Sequence, residues 1–307
     1  MTNSAISDLL ISESQDPYFN LAYEYELLNR ASLEGRHFLF FYRNRPCVVL
    51  GRFQNPWREV NFEKLPVGIE IVRRHSGGGT VYHDEGNWNF SIIRPGVVID
   101  EKTNLDILVQ ALAHFSFTIK INDRYDLTFD QKKVSGSAFR RVKGATLHHG
   151  TLLINAKLDA LRGSLGQMSG LEIEGKGVLS VSSSVINLGQ YNSRLNWCSF
   201  IDQLENQLAV SRTYWGKDSL SGFVKKKAQE LKSWEWRWGQ GPKCMIEVSQ
   251  GDQSISLSLE KGIVTKVSGS PIIAKALMNK QVKAGHLLTT ELSDQTALVK
   301  KINIAFF

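Results

Sequence analysis

The chain has 307 residues, 42% of them hydrophobic, and carries 37 Lys and Arg against 30 Asp and Glu for a formal charge of +7. That is ordinary globular chemistry, which excludes disordered and collagenous chains, and no apolar run approaches the roughly 20 residues needed to cross a bilayer. Ahead of Arg30 there is no Lys or Arg and no uninterrupted apolar stretch, so neither a secretory signal nor an Arg-rich transit peptide is expected. The expectation is a soluble protein of the cytoplasm, or of the mitochondrial matrix if a presequence has been removed. Cys47, Cys198 and Cys244 are odd in number and far apart, which offers neither a disulfide framework nor a zinc motif. Charge is unevenly spread: residues 1–216 carry +1, 217–243 carry +4 and 244–307 carry +2. A global basic coat for nucleic acid is disfavoured, and a local patch for an acidic partner is favoured.

In chain order, Asp16 reads as a helix N-cap with Pro17 at the first helical position and Leu21, Tyr25 and Leu28 on one face. Two strands follow, 37–42 and 47–53, and the polar Arg43-Asn44-Arg45-Pro46 between them suits a hairpin turn. Residues 69–74 form a short strand running into three glycines. Residues 87–94 alternate Trp88, Phe90 and Ile92 with polar residues, the period of a half-buried strand. Leu105, Leu108, Leu112 and Phe115 have helical spacing, and 126–139 and 146–155 read as two further strands. Ser199 is placed to cap a helix with Ile201, Leu204 and Leu208 inward, and 217–232 reads as a basic helix. The tryptophans 234, 236 and 238 suit a packing strip at a junction rather than a base-stacking platform. Three alternating runs (246–249, 254–259, 263–267) and a helix from Pro271 to Met278 make a small meander-plus-helix unit. The chain thus divides into a larger unit of sheet interleaved with helices, 1–240, with a basic helix and linker at 217–243, and a small unit, 244–307.

Three runs carry chemistry. In Arg73-Arg-His-Ser-Gly-Gly-Gly-Thr-Val-Tyr-His-Asp84 the glycines let backbone N–H groups face one anion, and two arginines add charge with a fork geometry suited to phosphate or carboxylate. A flexible turn with exposed arginines fits the glycines equally well. In Asp126 to Ala138, strand alternation sends Lys132 and Lys133 to opposite faces, so at most one points into a site. Such an ammonium holds two anions together, or else guards an edge strand. The small residues Ser135, Gly136 and Ser137 permit close approach of a ligand. In Leu147-His-His-Gly-Thr-Leu-Leu153 the two histidines face opposite ways and make poor joint metal ligands. One of them lines a pocket or is a satisfied core residue.

Taken in order, Arg73-Arg-x-Ser-Gly-Gly-Gly-x-Val-x-His-Asp, Lys133-Val-Ser-Gly-Ser-Ala and His148-His-Gly-Thr-Leu-Leu resemble the lipoate–protein ligase A family. So do Asp16-Pro-x-Phe-Asn-Leu-Ala22, Gly51-Arg-x-Gln-Asn-Pro-Trp57 and Ser233-Trp-Glu-Trp. The resemblance is close over about residues 8–243 and looser beyond. It implies a biotin/lipoate-ligase-like α+β (α/β) catalytic domain with mixed sheets and flanking helices, followed by a small α+β C-terminal domain. It implies activation of lipoate with ATP and magnesium to lipoyl-AMP, then transfer to one lysine of an apo acceptor, either the lipoyl domain of a 2-oxoacid dehydrogenase E2 subunit or the glycine-cleavage H protein. Carried over by motif, Lys133 holds the lipoate carboxyl and the α-phosphate. Arg74 and the loop Ser76, Gly77, Gly78, Gly79, Thr80, Val81, Tyr82 and His83 line the lipoyl and nucleotide pocket, with 79–82 against ATP. Asp126 lies near the adenylate and its magnesium, Ser135, Gly136, Ser137 and Ala138 follow the lysine, and His149 and Gly150 border the acyl pocket. Departures are His75, where a small polar residue is commoner, and a shorter C-terminal unit. The rival readings are a lipoyltransferase that uses ready-made lipoyl-AMP and a cysteine-dependent octanoyl or lipoyl acyltransferase. The latter needs an activated thiolate beside the site, and none of the three cysteines lies in a motif near Lys133.

Overall fold

The computed structural model describes residues 6–216, 220–283 and 296–306. The chain opens with β1 (Asp8–Ser12), α1 (Pro17–Glu34), β2 (Phe38–Arg43), β3 (Cys47–Leu50), the short α2 (Pro56–Glu59), β4 (Glu70–Arg73), β5 (Val81–His83) and β6 (Asn87–Pro95). It continues through α3 (Glu101–Ala113), β7 (Lys120–Ile121), β8 (Leu127–Phe129), β9 (Lys132–Ser135), β10 (Ser137–Val142) and β11 (Ala145–Leu153). Then come α4 (Leu158–Ser164), β12 (Leu171–Gly175), α5 (Trp197–Leu208), β13 (Arg212–Trp215), α6 (Gly222–Lys232) and α7 (Trp234–Arg237). The last elements are β14 (Cys244–Gln250), β15 (Gln253–Glu260), β16 (Ile263–Ser268), α8 (Pro271–Leu277) and α9 (Thr296–Phe306). Among the described residues no helix is long and apolar enough to cross a membrane.

A six-stranded sheet in the order β10-β11-β6-β2-β1-β13 forms the main wall, parallel at β2-β1-β13 and antiparallel elsewhere. A three-stranded sheet, β4-β3-β5, stands beside it. Helix α1 starts as its sequence dictates, with the Asp16 carboxylate accepting from the Tyr18 and Phe19 amides and Pro17 in the first turn. It packs on β6 and buries Leu21, Leu27, Leu28 and Ala31.

Four expectations change. Strands β2 and β3 are not a hairpin: β2 pairs with β1 and β6, and β3 with β4 and β5. Both are buried almost throughout, so each needs partners and cover on every side. Between them Asn44 is turned inward, bonded to Asn20 and His83, so the connection is no solvent-facing turn. Strand β6 is not half-exposed, because its polar residues are buried too: Asn87 bonds Asn89, Asn89 bonds the Tyr42 carbonyl and Ser91 bonds Glu24 of α1. The run 126–139 is three strands. Asp130 and Gln131 both adopt left-handed backbone, with φ of 53° and 61°, the two-residue turn that matches strand twist. Gly136 then separates β9 from β10, which crosses into the main sheet. Helix α5 begins at Trp197 with Asn196 as N-cap, while Ser199 closes a reciprocal capping box from the third helical position.

Helix α6 covers 222–232, and residues 217–219 of the expected basic helix lie outside the described residues. Val224, Ala228 and Leu231 face α1, and Lys225 and Lys226 are exposed. The tryptophan strip does pack a junction: Trp236 donates to the Arg73 carbonyl, Trp234 to the Val282 carbonyl, and Trp238 lies 6.3 Å from Trp57, ring centre to ring centre. The C-terminal meander gains a fourth strand from upstream, in the order β12-β14-β15-β16. Trp57 joins this unit to α2, donating its Nε1–H to the Ala305 carbonyl at 3.0 Å and stacking on Phe306 at 5.5 Å. Replacing a buried indole by a methyl leaves a cavity. Trp57→Ala is therefore expected to cost about 3–5 kcal/mol in denaturant unfolding. Trp57→Phe, which drops mainly the hydrogen bond, is expected to cost about 1 kcal/mol.

Candidate active site

The glycine loop leaves β4 braced by two buried arginines. Arg73 gives Nη1 to the carbonyls of Gly51, Arg52 and Gln54 and Nε to that of Arg237. Arg74 gives Nη1 to the Val49 carbonyl, Nη2 to those of Gly77 (2.6 Å) and Gly79 (2.7 Å), and Nε to Ser76 Oγ (2.9 Å). Burial pushes the two pKa values down to about 9 and about 10, so both remain charged at neutral pH. The expectation of two free guanidinium forks is thus corrected: each nitrogen of Arg74 has an acceptor in the protein, and so do Nε and Nη1 of Arg73, whose buried Nη2 has none. With the Gly77 and Gly79 carbonyls drawn to Arg74, the N–H groups of the same trans peptides, those of Gly78 and Thr80, point the other way. Gly78 makes the turn with φ of +83°, a region side chains rarely enter. The Thr80 N–H meets Ser180 Oγ at 2.8 Å.

Behind the loop, Ser76 links Arg74 to His149, and His149 to Glu24. Arg74 Nε–H donates to Ser76 Oγ, which lies 2.6 Å from His149 Nε2, and the Glu24 Oε1 carboxylate oxygen accepts from His149 Nδ1 at 2.9 Å. Glu24 also accepts from Tyr42 and Ser91. His149 is therefore both a pocket-lining and a fully partnered residue, while His148 turns to Ser137.

Lys133 and Lys132 part as strand alternation requires. Lys132 is exposed, and Lys133 Nζ lies 2.9 Å from Asp126 Oδ1. The Lys133 backbone is held on its outer side by the Ser184 carbonyl and the Ile186 amide. Gly150 allows β11 to pass directly behind: a Cβ there would lie 2.4 Å from the Gly136 carbonyl oxygen and 2.6 Å from the Phe90 ring.

These elements enclose a cavity of about 290 Å³ lined by Arg74, Gly78, Gly79, Thr80, Val81, His83, Asp126, Lys133, Gly136, Ser137, Ala138, His149 and Gly150. An adjoining cavity of about 530 Å³ shares Thr80, Val81, Lys133 and Gly136 and adds Tyr82 and Ser135. Ser76 lines only a small pocket behind His149, and Gly77 lines none of these. Sequence reasoning missed Leu21, Tyr42, Val49, Asn89 and Thr151 in the walls, and the irregular segment Val178 to Val181 that borders both cavities. It also missed Gln54, whose Oε1 accepts from the Gly51 amide and the Thr80 hydroxyl and whose Nε2 donates to Ser180 Oγ. Gln54 and Tyr42 sit in or beside quoted motifs, whereas 178–181 has no periodicity to read.

Chemically the arrangement sets one ammonium at the junction of two cavities and the Gly78 N–H along one edge, groups able to attract anions. Asp126 makes no metal site by itself, because its oxygens already face Lys133, Arg124 and Asn122. Among the described residues no group of three His, Cys, Asp or Glu is placed to hold a metal ion. Cys47 and Cys244 are buried, with thiols pushed up by burial, Cys244 to about 11, and none of the three cysteines lines either cavity.

Residues 16–209 match the family model of the lipoyl protein ligase A/B catalytic domain. Lipoate-protein ligase A of Psychrobacter cryohalolentis is 33% identical over 252 residues, covering 76% of this chain and 73% of the relative. A structure of LipL1 from P. falciparum in complex with lipoate superposes with a TM-score of 0.65 at 26% identity over 96% of this chain and 94% of that one. An ATP-bound lipoate-protein ligase A shares the fold, with a TM-score of 0.61 at 24% identity over 76% of this chain and 98% of that one. The chain belongs to the lipoate–protein ligase A family and has its mixed α+β catalytic fold.

With no thiol at the cavity, changing all three cysteines to Ser or Ala is expected to leave more than half of the ligase activity in the folded fraction. An inactive triple variant that regains activity and a mass-detectable acyl-thioester on restoring one cysteine would establish covalent transfer instead.

Proposed function

We propose that this protein is an ATP-dependent lipoate-protein ligase that activates lipoate to lipoyl-AMP and passes the lipoyl group to a lysine of an acceptor domain. The observation that carries the reading is Lys133, paired with Asp126, at the junction of the two cavities. In the first half-reaction a lipoate carboxylate oxygen attacks the α-phosphorus of ATP and the bond to pyrophosphate breaks. In the second, the neutral amine of the acceptor lysine attacks the carbonyl of the mixed anhydride, AMP leaves and the amine proton is lost. The obstacle to the first step is repulsion between two anions. Lys133 Nζ, shared between carboxylate and phosphate, and the outward Gly78 N–H of the glycine loop offset it. The first cavity, walled by Leu21, Val49 and Tyr42, suits the acyl chain. The second, with Tyr82, Ser135 and Arg58, suits the nucleotide.

Magnesium enters with the nucleotide as part of the substrate, held chiefly by phosphate oxygens. The acceptors of this reading are E2 lipoyl domains and glycine-cleavage H protein, and the compartment is the cytoplasm, or the mitochondrial matrix if a presequence has been removed. A structure of the Thermoplasma acidophilum ligase is described together with its E2 lipoyl domain, which supports an acceptor of that class.

Pyrophosphate release from ATP and lipoate, with and without an apo lipoyl domain, tests the whole reading. Release without acceptor is expected, and transfer only from supplied lipoyl-AMP would reduce the protein to a transferase. Lys133→Ala is expected to abolish both half-reactions, including transfer from lipoyl-AMP, while Lys132→Ala stays within about 2-fold of wild type, as exposed substitutions usually do. For the acceptor, the exposed Lys225 and Lys226 of α6 are the steering charges, since Lys227 is engaged by Glu230 and the Tyr25 ring. Changing both to Glu is expected to raise the acceptor KM by about 10-fold at low salt and leave pyrophosphate release unchanged. Added salt is expected to weaken wild type more than the variant.

A further inference from the structure

The segment 176–185, between β12 and Ile186, borders both cavities without an apolar anchor: none of its residues is buried, and Val178, Leu179 and Val181 are exposed. Hydrogen bonds hold it at its two ends. At one end the Ser184 carbonyl accepts from the Lys133 amide at 2.8 Å. At the other, the Val178 amide donates to the Phe53 carbonyl and the Val178 carbonyl accepts from Gln54. Here Ser180 meets the glycine loop so closely that a Cβ on Gly79 would lie 3.0 Å from Ser180 Oγ. That hydroxyl is the centre of a small network. Gln54 Oε1 accepts from the Gly51 amide at 2.8 Å, which fixes its Nε2 as the donor to Ser180 Oγ at 3.1 Å. The Thr80 amide donates to the same oxygen at 2.8 Å. The Ser180 hydroxyl in turn donates to Glu59 Oε2, and the Ser180 amide donates to Glu59 Oε1 at 3.2 Å.

Glu59 is the unusual member. It closes the short helix α2 and is only 4% exposed. Among the described residues no basic side chain lies within ion-pair distance of its carboxylate, and the neighbouring Arg58 spends Nη2 on the Ile173 carbonyl. A buried carboxylate without a cation is costly unless hydrogen bonds offset it. Both of those bonds come from one residue, Ser180, 121 positions along the chain. Lifting the segment therefore strips a buried charge of its donors, and the carboxylate biases the segment toward the loop. We propose that Glu59 is a positioning residue: acting through Ser180, it clamps the segment 176–185 beside the two cavities and so keeps the acyl-adenylate in place between its formation and its transfer. This deepens the ligase reading and rests on it. With the clamp lost, water reaches the mixed anhydride and attacks the acyl carbonyl carbon. The bond from that carbon to the AMP oxygen breaks, and lipoate and AMP are returned with the protons of the water and no amide formed.

The experiment measures pyrophosphate released against amide formed, with ATP, lipoate and excess apo lipoyl domain, for wild type, Glu59→Ala, Glu59→Gln, Ser180→Ala and the double alanine variant. Wild type is expected to be close to equimolar. In either single alanine variant the excess of pyrophosphate over amide is expected to rise about 10-fold, the size of one charge-assisted hydrogen bond. The double variant is expected to be no worse than the singles, because all three lose the same contact. Glu59→Gln, whose amide oxygen still accepts one Ser180 hydrogen, is expected to fall between wild type and alanine. Loss of a merely structural residue would lower both products together and leave their ratio alone. Unchanged coupling in the alanine variants, or losses that add in the double variant, would overturn this proposal alone, whereas no pyrophosphate from wild type would overturn the ligase reading as well. Because Glu59→Ala removes a buried group and risks misfolding, Ser180→Ala, on an exposed segment, decides the matter if that variant does not fold.

Discussion

The burial of the Arg74 guanidinium is the constraint on which the rest of the site depends. A charge removed from water is costly unless hydrogen bonds offset it, and here Val49, Ser76, Gly77 and Gly79 supply an acceptor to each of the three guanidinium nitrogens. Two of those acceptors belong to the glycine loop itself. The loop's shape is thus the shape that satisfies the arginine. A side-chain charge is converted into an arrangement of peptide dipoles facing the other way, and the arginine need not touch a ligand to set how one is received. Glu24 completes the balance through Ser76 and His149, placing a compensating carboxylate on α1.

Positive charge is therefore layered. Arg73 and Arg74 brace the glycine loop, Lys133 lines both cavities, and Lys225 and Lys226 stand outside on α6. Asp126 keeps Lys133 from being an isolated ammonium, its Oδ1 2.9 Å from Nζ. Gln54 performs a comparable service among neutral groups, tying the turn at Gly51, the loop at Thr80 and the segment at Ser180 with one amide.

What was legible in the sequence was whatever local chemistry decides. The Asp16-Pro17 cap, the divergence of Lys132 from Lys133, and the C-terminal meander each follow from a few adjacent residues. What was not legible was decided at long range. Nothing local says that Asn44 turns inward, because its partners Asn20 and His83 are distant in sequence. Asn89 and Ser91 look like the wet face of a strand until α1 is laid over them with Glu24. Asp130-Gln131 lacks the glycine that usually marks a two-residue turn, and Asn196 outcompeted Ser199 as cap because both residues take part in one box. In the site, motifs located the loop, the lysine and His149, but apart from Ser76 Oγ the arginines' partners are carbonyls, which no side-chain pattern reports.

The Trp57 contact also sets an order of events during synthesis. Its hydrogen-bond acceptor, Ala305, lies 248 residues downstream, and Leu298, Ile302 and Phe306 belong to the same buried cluster. At roughly 5–20 residues per second, a nascent chain carries this indole without its lid for tens of seconds after the six-stranded sheet's first strands have emerged. The cluster around β1, β2, β6 and α3 contains no residue beyond Leu204, so it can close while the ribosome is still working. This part of the six-stranded sheet thus has its core available early. The apolar surface around Trp57 is the part that must be shielded, by a chaperone or by collapse of its neighbours, until α9 arrives.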